Sequence, residues 1–145
     1  ARKNNDTLII STGMSTENEI DEAIKYADPD VIMHTNSTYP SPINEINIKY
    51  INWLKDKYKD KIIGYSGHES GFIPTLYAVA LGATFIERHI TLDKSMWGSD
   101  QKASLEPTEL ESLVKHIREM EECLGKGGPR ALLKSELEKK KSLRG

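Results

Sequence analysis

His68 and His89 each close a short run in which a polar side chain stands two residues earlier: Ser66-Gly67-His68 and Glu87-Arg88-His89. Alternate residues of a strand share a face, so Ser66 lies with His68 and Glu87 with His89. If both imidazoles face the axis of a barrel, they converge from adjacent strands into a metal-site geometry. Two neutral imidazoles suit a divalent transition metal whose remaining positions go to water or a substrate oxygen. No thiolate accompanies them, which favours Mn2+ over structural zinc, with Mg2+ as the other candidate cation. Glu87, on the same side, would orient a ligand or a bound water from behind the histidines. The competing reading is that each is a packing residue satisfied within the core. His34, on the opposite face from Ser37, and His116, in the terminal helix, are read as structural.

Ser11, Ser37, Tyr39 and Ser66 offer neutral hydroxyl donors, and Gly13 and Gly67 let backbone amides approach an anion. Together they could hold phosphate or carboxylate oxygens, although Ser, Thr and Gly are also ordinary residues of strand-to-loop turns. The loop Ser95 to Gln101 carries Asp100, placed to hydrogen-bond sugar hydroxyls or to assist proton transfer. A surface Asp beside a turn Gly is the plain alternative. Trp97 reads as a cover for the end of the core, and Lys139 to Lys141 as a solvated face.

These residues need rigid elements to present them, and the sequence alternates strand and helix signals four times. Thr7 to Ser11 is a buried-strand run, and Thr16 to Glu19 has a capping-box pattern ahead of Ile20, Ala23, Ile24 and Ala27 at helical spacing. Asp28-Pro29 breaks the chain before Asp30 to Thr35, a second strand that leads into the loop with Pro40 and Pro42. Ile46, Tyr50, Ile51, Trp53 and Leu54 mark a helix running to about Tyr58. Lys61 to Ser66 is a third strand, followed by a Gly-rich turn and a helix from about Ile73 to Leu81. Ala83 to His89 is the fourth. Pro107 suits a first helical turn, and Leu110, Leu113, Val114, Ile117 and Leu124 give the last long helix one apolar face.

Consecutive β-α units imply parallel strands in an α/β fold, either a doubly wound sheet or a barrel. Every strand here ends in chemically capable residues: Ser11-Thr12, Asn36-Ser37, Ser66-Gly67-His68 and Glu87-Arg88-His89. That favours a TIM-type (β/α)8 barrel, which gathers residues from all its strand ends, over a sheet with one switch point. Four units make half of such a barrel, so missing residues or self-association are expected. Residues 1–133 are read as the partial catalytic domain and residues 134–145 as a charged linker or frayed helix.

With 20 basic and 22 acidic residues the net charge is −2, which creates no field favouring nucleic acid or an anionic membrane. A small-molecule site is the reading that remains. No apolar run is long enough to span a bilayer, and Ala1 to Asp6 lacks the apolar core of a signal peptide. A lone cysteine, Cys123, fits a reducing cytoplasm. The absence of an initiating Met makes truncation an expectation.

Gly64 to Glu69 (GYSGHE), Ile86 to Asp100 (IERHITLDKSMWGSD), Leu8 to Ser15 (LIISTGMS) and His34 to Pro40 (HTNSTYP) resemble, in order, motifs of the sialic acid synthase family. The resemblance covers about the first 105 residues. It implies a (β/α)8 barrel followed by a small antifreeze-like domain in a domain-swapped homodimer, with this chain as strands five to eight and the start of the linker. It implies condensation of phosphoenolpyruvate with N-acetylmannosamine or a related amino sugar, giving a nine-carbon 2-keto acid and phosphate. His68 and His89 match the family's metal-binding histidines, while Ser11, Ser66 and Tyr39 match contacts to phosphoenolpyruvate. Asp100 matches an acidic contact to the amino sugar. The family often has Asn at the position of Ser37, and here Asn36 stands one residue earlier, so both are carried as substrate-binding candidates. Lysines and a glutamate from the first half-barrel, and an arginine from the antifreeze-like domain, have no counterpart here; the chain alone is expected to be inactive.

Two alternatives stay open. One is synthesis of legionaminic acid or another nonulosonic acid by the same chemistry. The other is a non-catalytic, self-associating half-barrel. A lysine Schiff-base aldolase is disfavoured because no Lys stands at a strand end.

Overall fold

Alternating apolar segments and helix signals resolve, in the computed structural model, into β1 (Ile9–Ser11), α1 (Glu17–Ala27), β2 (Val31–Thr35), α2 (Tyr50–Lys57), β3 (Ile62–Gly67), α3 (Ile73–Ala80), β4 (Phe85–Arg88), α4 (Pro107–Leu124) and α5 (Lys134–Arg144). The structure describes residues 6–144. Residues 1–5 of the expected catalytic domain, which are most of the stretch read for a signal peptide, and Gly145 of the expected linker lie outside the described residues.

All four strands are parallel and pair in chain order, β1-β2-β3-β4. No reversal of strand order occurs among them, so the described strands form no switch-point crevice of the doubly wound kind. The register places Thr35 beside Ser66 and Ser66 beside Glu87, and ends at Gly67 beside Arg88. One row beyond, His68 and His89 leave the ladder side by side.

One sheet face presents Ile10, Ile32, Ile63, Tyr65 and Ile86, against which Ile20 and Ile24 of α1, Ile51 and Leu54 of α2, and Ala78 of α3 pack. The other face carries Ile9, Met33, Ile62, Gly64 and Phe85 by alternation. There Ile9, Ile62 and Phe85 are 45%, 44% and 36% exposed.

The capping box expected at Thr16 forms: Glu19 N–H donates to Thr16 Oγ1 at 3.4 Å, and Thr16 N–H donates to the Glu19 carboxylate at 2.7 Å. Asp28, in the left-handed region at φ 46°, ends α1 with its N–H on the Ile24 carbonyl, and Pro29 follows. The helix expected from Ile46 starts only at Tyr50. Asn47 adopts φ 48°, which a helix cannot continue through and which Asn tolerates, and a 3-10 turn over Ile43–Glu45 fills the earlier stretch. Ile46 is still buried in the core. The fourth strand is shorter at both ends than the expected Ala83 to His89. Ala83 N–H closes onto the Ala78 carbonyl at 2.9 Å, and the His89 carbonyl accepts from Leu105 N–H at 2.8 Å, so those backbone groups are used outside the ladder. The charged tail is helical as α5 and buries no side chain. No described helix is long and apolar enough to cross a membrane.

Candidate active site

His68 follows the last residue of β3 and is 5% exposed. Its Nδ1 lies 2.7 Å from the Asn36 carbonyl oxygen. A carbonyl can only accept, so Nδ1 carries the proton and the lone pair of the neutral ring is on Nε2. This fixing of one ring nitrogen by a backbone carbonyl is the arrangement that orients metal-binding histidines. His89 follows the last residue of β4, and its ring centroid is 5.1 Å from that of His68, with the two planes at 83°. The side chain of His89 is 33% exposed, and its Nδ1 lies 3.7 Å from Asp100 Oδ2. Asp100 is held by its own loop, with its carbonyl accepting from Ser104 Oγ at 2.8 Å and Oδ1 from Ser99 Oγ at 2.7 Å.

Tyr39 covers the pair, its ring centroid 4.2 Å from His68 and 5.4 Å from His89. Two residues earlier on the same sheet face, Ser66 Oγ donates to Glu87 Oε1 at 2.7 Å, and Thr35 Oγ1 donates to the Ser66 carbonyl at 2.6 Å. Ser37 lies beside Gly13: a Cβ on Gly13 would meet Ser37 Oγ at 2.1 Å and Thr35 Cγ2 at 2.6 Å, so only glycine allows that approach. Ser11 pairs with Met33, level with Gly64 and so two residues further from the histidines than Ser66, and is exposed.

The Asn36 side chain is used within its loop, accepting from Thr38 N–H at 2.9 Å and donating through Nδ2 to the Glu45 carbonyl at 3.2 Å. Its link to the histidines is its backbone carbonyl. His68, His89, Asp100 and Tyr39 are thus brought together, Ser66 and Glu87 form a linked pair beneath them, and Ser11 stands apart. A concavity of about 710 Å³ is lined by Thr12, Thr16, His34, Ser37 and Tyr50 among others, and includes neither His68 nor His89.

The donor set meets a divalent cation only partway. Among the described residues no group of three His, Cys, Asp or Glu side chains could hold a metal ion. Two imidazoles with one preset lone pair make an open site that fits a cation completing its shell with water or substrate oxygen.

The sequence assigned no role to Glu69 or Arg88, although both stand within its strand-end motifs. Both are buried, with side chains 0% and 2% exposed, and Arg88 Nη1 donates to Glu69 Oε1 at 3.0 Å. Thr75 Oγ1 and Tyr65 OH also donate to this carboxylate, at 3.0 and 2.9 Å. Burial lowers the pKa of Arg88, opposed by the Glu69 charge, and burial followed by that same charge raises the pKa of Tyr65. A signal was present: Arg88 alternates with Glu87 and His89, so it must point to the helix side, where a charge requires a partner. The space that Gly67 leaves is filled from that side, since a Cβ there would lie 2.7 Å from Glu69 Oε2 and 2.8 Å from Tyr65 Cε1.

Residues 1–128 match the model of the NeuB family. The chain is 44% identical over 132 residues to an N,N'-diacetyllegionaminic acid synthase of Campylobacter jejuni, covering 86% of this chain and 39% of that protein. It is 42% identical over 122 residues to the human N-acetylneuraminate-9-phosphate synthase, covering 81% of this chain and 34% of that one. The crystal structure of an N-acetylneuraminic acid synthetase from Leptospira borgpetersenii, in complex with citrate, superposes with a TM-score of 0.79 at 37% identity, over 94% of this chain and 50% of that one. The chain therefore spans half or less of the length of each of these relatives. On the match to its first 128 residues, this chain belongs to the NeuB family.

Proposed function

We propose that the intact protein condenses phosphoenolpyruvate with N-acetylmannosamine or a closely related amino sugar, releasing phosphate and a nine-carbon 2-keto acid. The four β-α units are read as strands five to eight of a (β/α)8 catalytic barrel, with residues 134–145 as the linker to an antifreeze-like domain in a cytoplasmic homodimer. The observation that carries this reading is the pair of imidazoles, centroids 5.1 Å apart, at the ends of adjacent parallel strands.

His68 and His89 would hold a divalent cation, with Mn2+ preferred and Mg2+ the alternative, and the cation supplies Lewis acidity toward the aldehyde oxygen of the open-chain sugar. His68 offers the lone pair of Nε2 because its Nδ1–H donates to the Asn36 carbonyl. Asp100, beside His89, is placed for the hydroxyls of the amino sugar. Tyr39, Ser66, Ser37, Ser11 and the Asn36 segment are assigned to the phosphate and carboxylate of phosphoenolpyruvate, and Glu87, anchored by Ser66, orients water or a ligand. The enol carbon forms a bond to the aldehyde carbon; water then adds at C2 of the former enol phosphate, and the C–O bond to phosphate breaks to leave the ketone.

Calorimetry with Mn2+ on the chain, and turnover of a full-length protein rebuilt around it, test the reading. His89→Ala is expected to abolish the chain's specific Mn2+ heat, and His68→Ala to reduce metal-dependent turnover by about 10²-fold or more. Normal metal-dependent turnover in His68→Ala would refute it. The likeness to both a legionaminic and a neuraminate-9-phosphate synthase supports a second reading, in which the acceptor is another amino sugar with the same reacting aldehyde. Comparing product formation from the two acceptors separates them.

A further inference from the structure

We propose that the buried Glu69–Arg88 pair is a positioning device that sets the distance and angle between His68 and His89, and ties the Asp100 loop to them; this rests on the metal reading above. The hydrogen-bonded ladder between β3 and β4 ends at Gly67 and Arg88, one residue short of the histidines. Beyond that row, the direct polar links between the two strand ends come from Arg88. Its Nη1 donates to Glu69 Oε1 at 3.0 Å, and its Nη2 donates to the Glu69 backbone carbonyl at 2.8 Å. Glu69 immediately follows His68 and Arg88 immediately precedes His89, so the Nη2 contact holds the backbone of the residue next to one histidine with the side chain of the residue next to the other.

The same Nη2 reaches the Ala103 carbonyl at 3.3 Å, and Ala103 N–H donates to the Asp100 carbonyl at 3.0 Å. One guanidinium therefore spans the His68 end, the His89 end and the loop that carries Asp100. Tyr65 OH and Thr75 Oγ1 complete the Glu69 carboxylate from β3 and α3, so both of its oxygens are engaged. The pair lies on the helix side of the sheet, behind the histidines and away from the face on which substrate would sit.

Burial argues that geometry, more than stability, is what the pair contributes. Well-packed apolar residues often replace a buried ion pair without loss of stability, whereas removing one partner leaves an uncompensated charge. The Arg88 Nε–H is itself buried with no hydrogen-bond partner in the structure. An arrangement tolerating that cost is consistent with selection for a forked, planar contact that aligns three segments at once.

The test uses the whole chain with Mn2+ alone, comparing wild type with the double variant Glu69→Leu/Arg88→Met and with Arg88→Lys. Circular dichroism and thermal melts establish that each variant is folded. Calorimetry gives Mn2+ affinity, and electron spin-echo modulation counts histidine nitrogens coupled to the ion. The expected result is a folded double variant that binds Mn2+ at least about tenfold more weakly, with one coupled nitrogen in place of two. Arg88→Lys keeps the charge but lacks the fork, and is expected to weaken binding by a smaller factor with a melt close to wild type. Wild-type affinity with two coupled nitrogens in either folded variant would overturn the proposal alone. Wild type showing no histidine nitrogen coupled to Mn2+ would overturn the metal reading and this inference with it.

Discussion

His68 and His34 each give one ring nitrogen to a backbone carbonyl, at 2.7 Å in both cases, yet the nitrogen differs: Nδ1 of His68 donates to Asn36, and Nε2 of His34 donates to Ile46. The choice leaves the lone pair of His68 on Nε2, whereas that of His34 is buried at Nδ1 without a partner in the structure. His34 is therefore held neutral by burial, partly offset by its bond to the Ile46 carbonyl, and its pKa is lowered from the ordinary value of 6.5. The unfolded chain takes up a proton that the folded chain refuses, so His34 costs no stability above about pH 6.5 and an increasing amount as pH falls from there to the folded pKa. Urea midpoints for wild type are expected to drop between about pH 7 and pH 5.5, and His34→Gln to flatten that drop. A wild-type midpoint that stays level over this range would contradict the assignment. Reading His34 as structural from its alternation with Ser37 agrees with its place on the helix side of β2.

The close spacing of β2, β3 and β4 depends on Gly64, the residue of β3 that pairs with Met33 and Phe85. A Cβ at Gly64 would lie 2.3 Å from Met33 Sδ and 2.7 Å from the Phe85 carbonyl oxygen. The thioether can move, but the backbone oxygen is held in the sheet. Gly64→Ala is expected to destabilise the fold by about 1–3 kcal/mol, the usual cost of overpacking, as measured by chemical denaturation. A loss below about 0.5 kcal/mol would mean that the strands can part at this row without penalty. Elements with short-range signals were legible beforehand: Thr16 and Glu19 announced the start of α1, Asp28-Pro29 its end, and Pro107 the start of α4. The late start of α2 was not, because the apolar spacing from Ile46 satisfies a helix, and only the backbone angle of Asn47 interrupts it.

At the scale of the whole molecule, α1, α2 and α3 pack on one side of the sheet, and apolar side chains stay on the other, with Ile9, Ile62 and Phe85 each more than a third exposed. Among the described strands, β1 and β4 each also keep one unpaired edge. Exposed apolar faces and open edges drive association. Sedimentation of the chain is expected to show a weight-average mass that rises with concentration, and Ile62→Glu/Phe85→Glu to suppress the rise. A monomer at all concentrations would show that this face is adequately solvated as it stands.

The polar strand ends, the parallel α/β order and the candidates His68, His89, Asp100 and Tyr39 could be read from residue types, because periodicity and capping act over a few positions along the chain. Their convergence required the fold. The 5.1 Å between the two imidazoles and the placing of Tyr39 over both depend on register between segments more than twenty residues apart. The Glu69–Arg88 contact belongs to the same category, since a buried charge finds its partner through packing across strands and not through spacing within one.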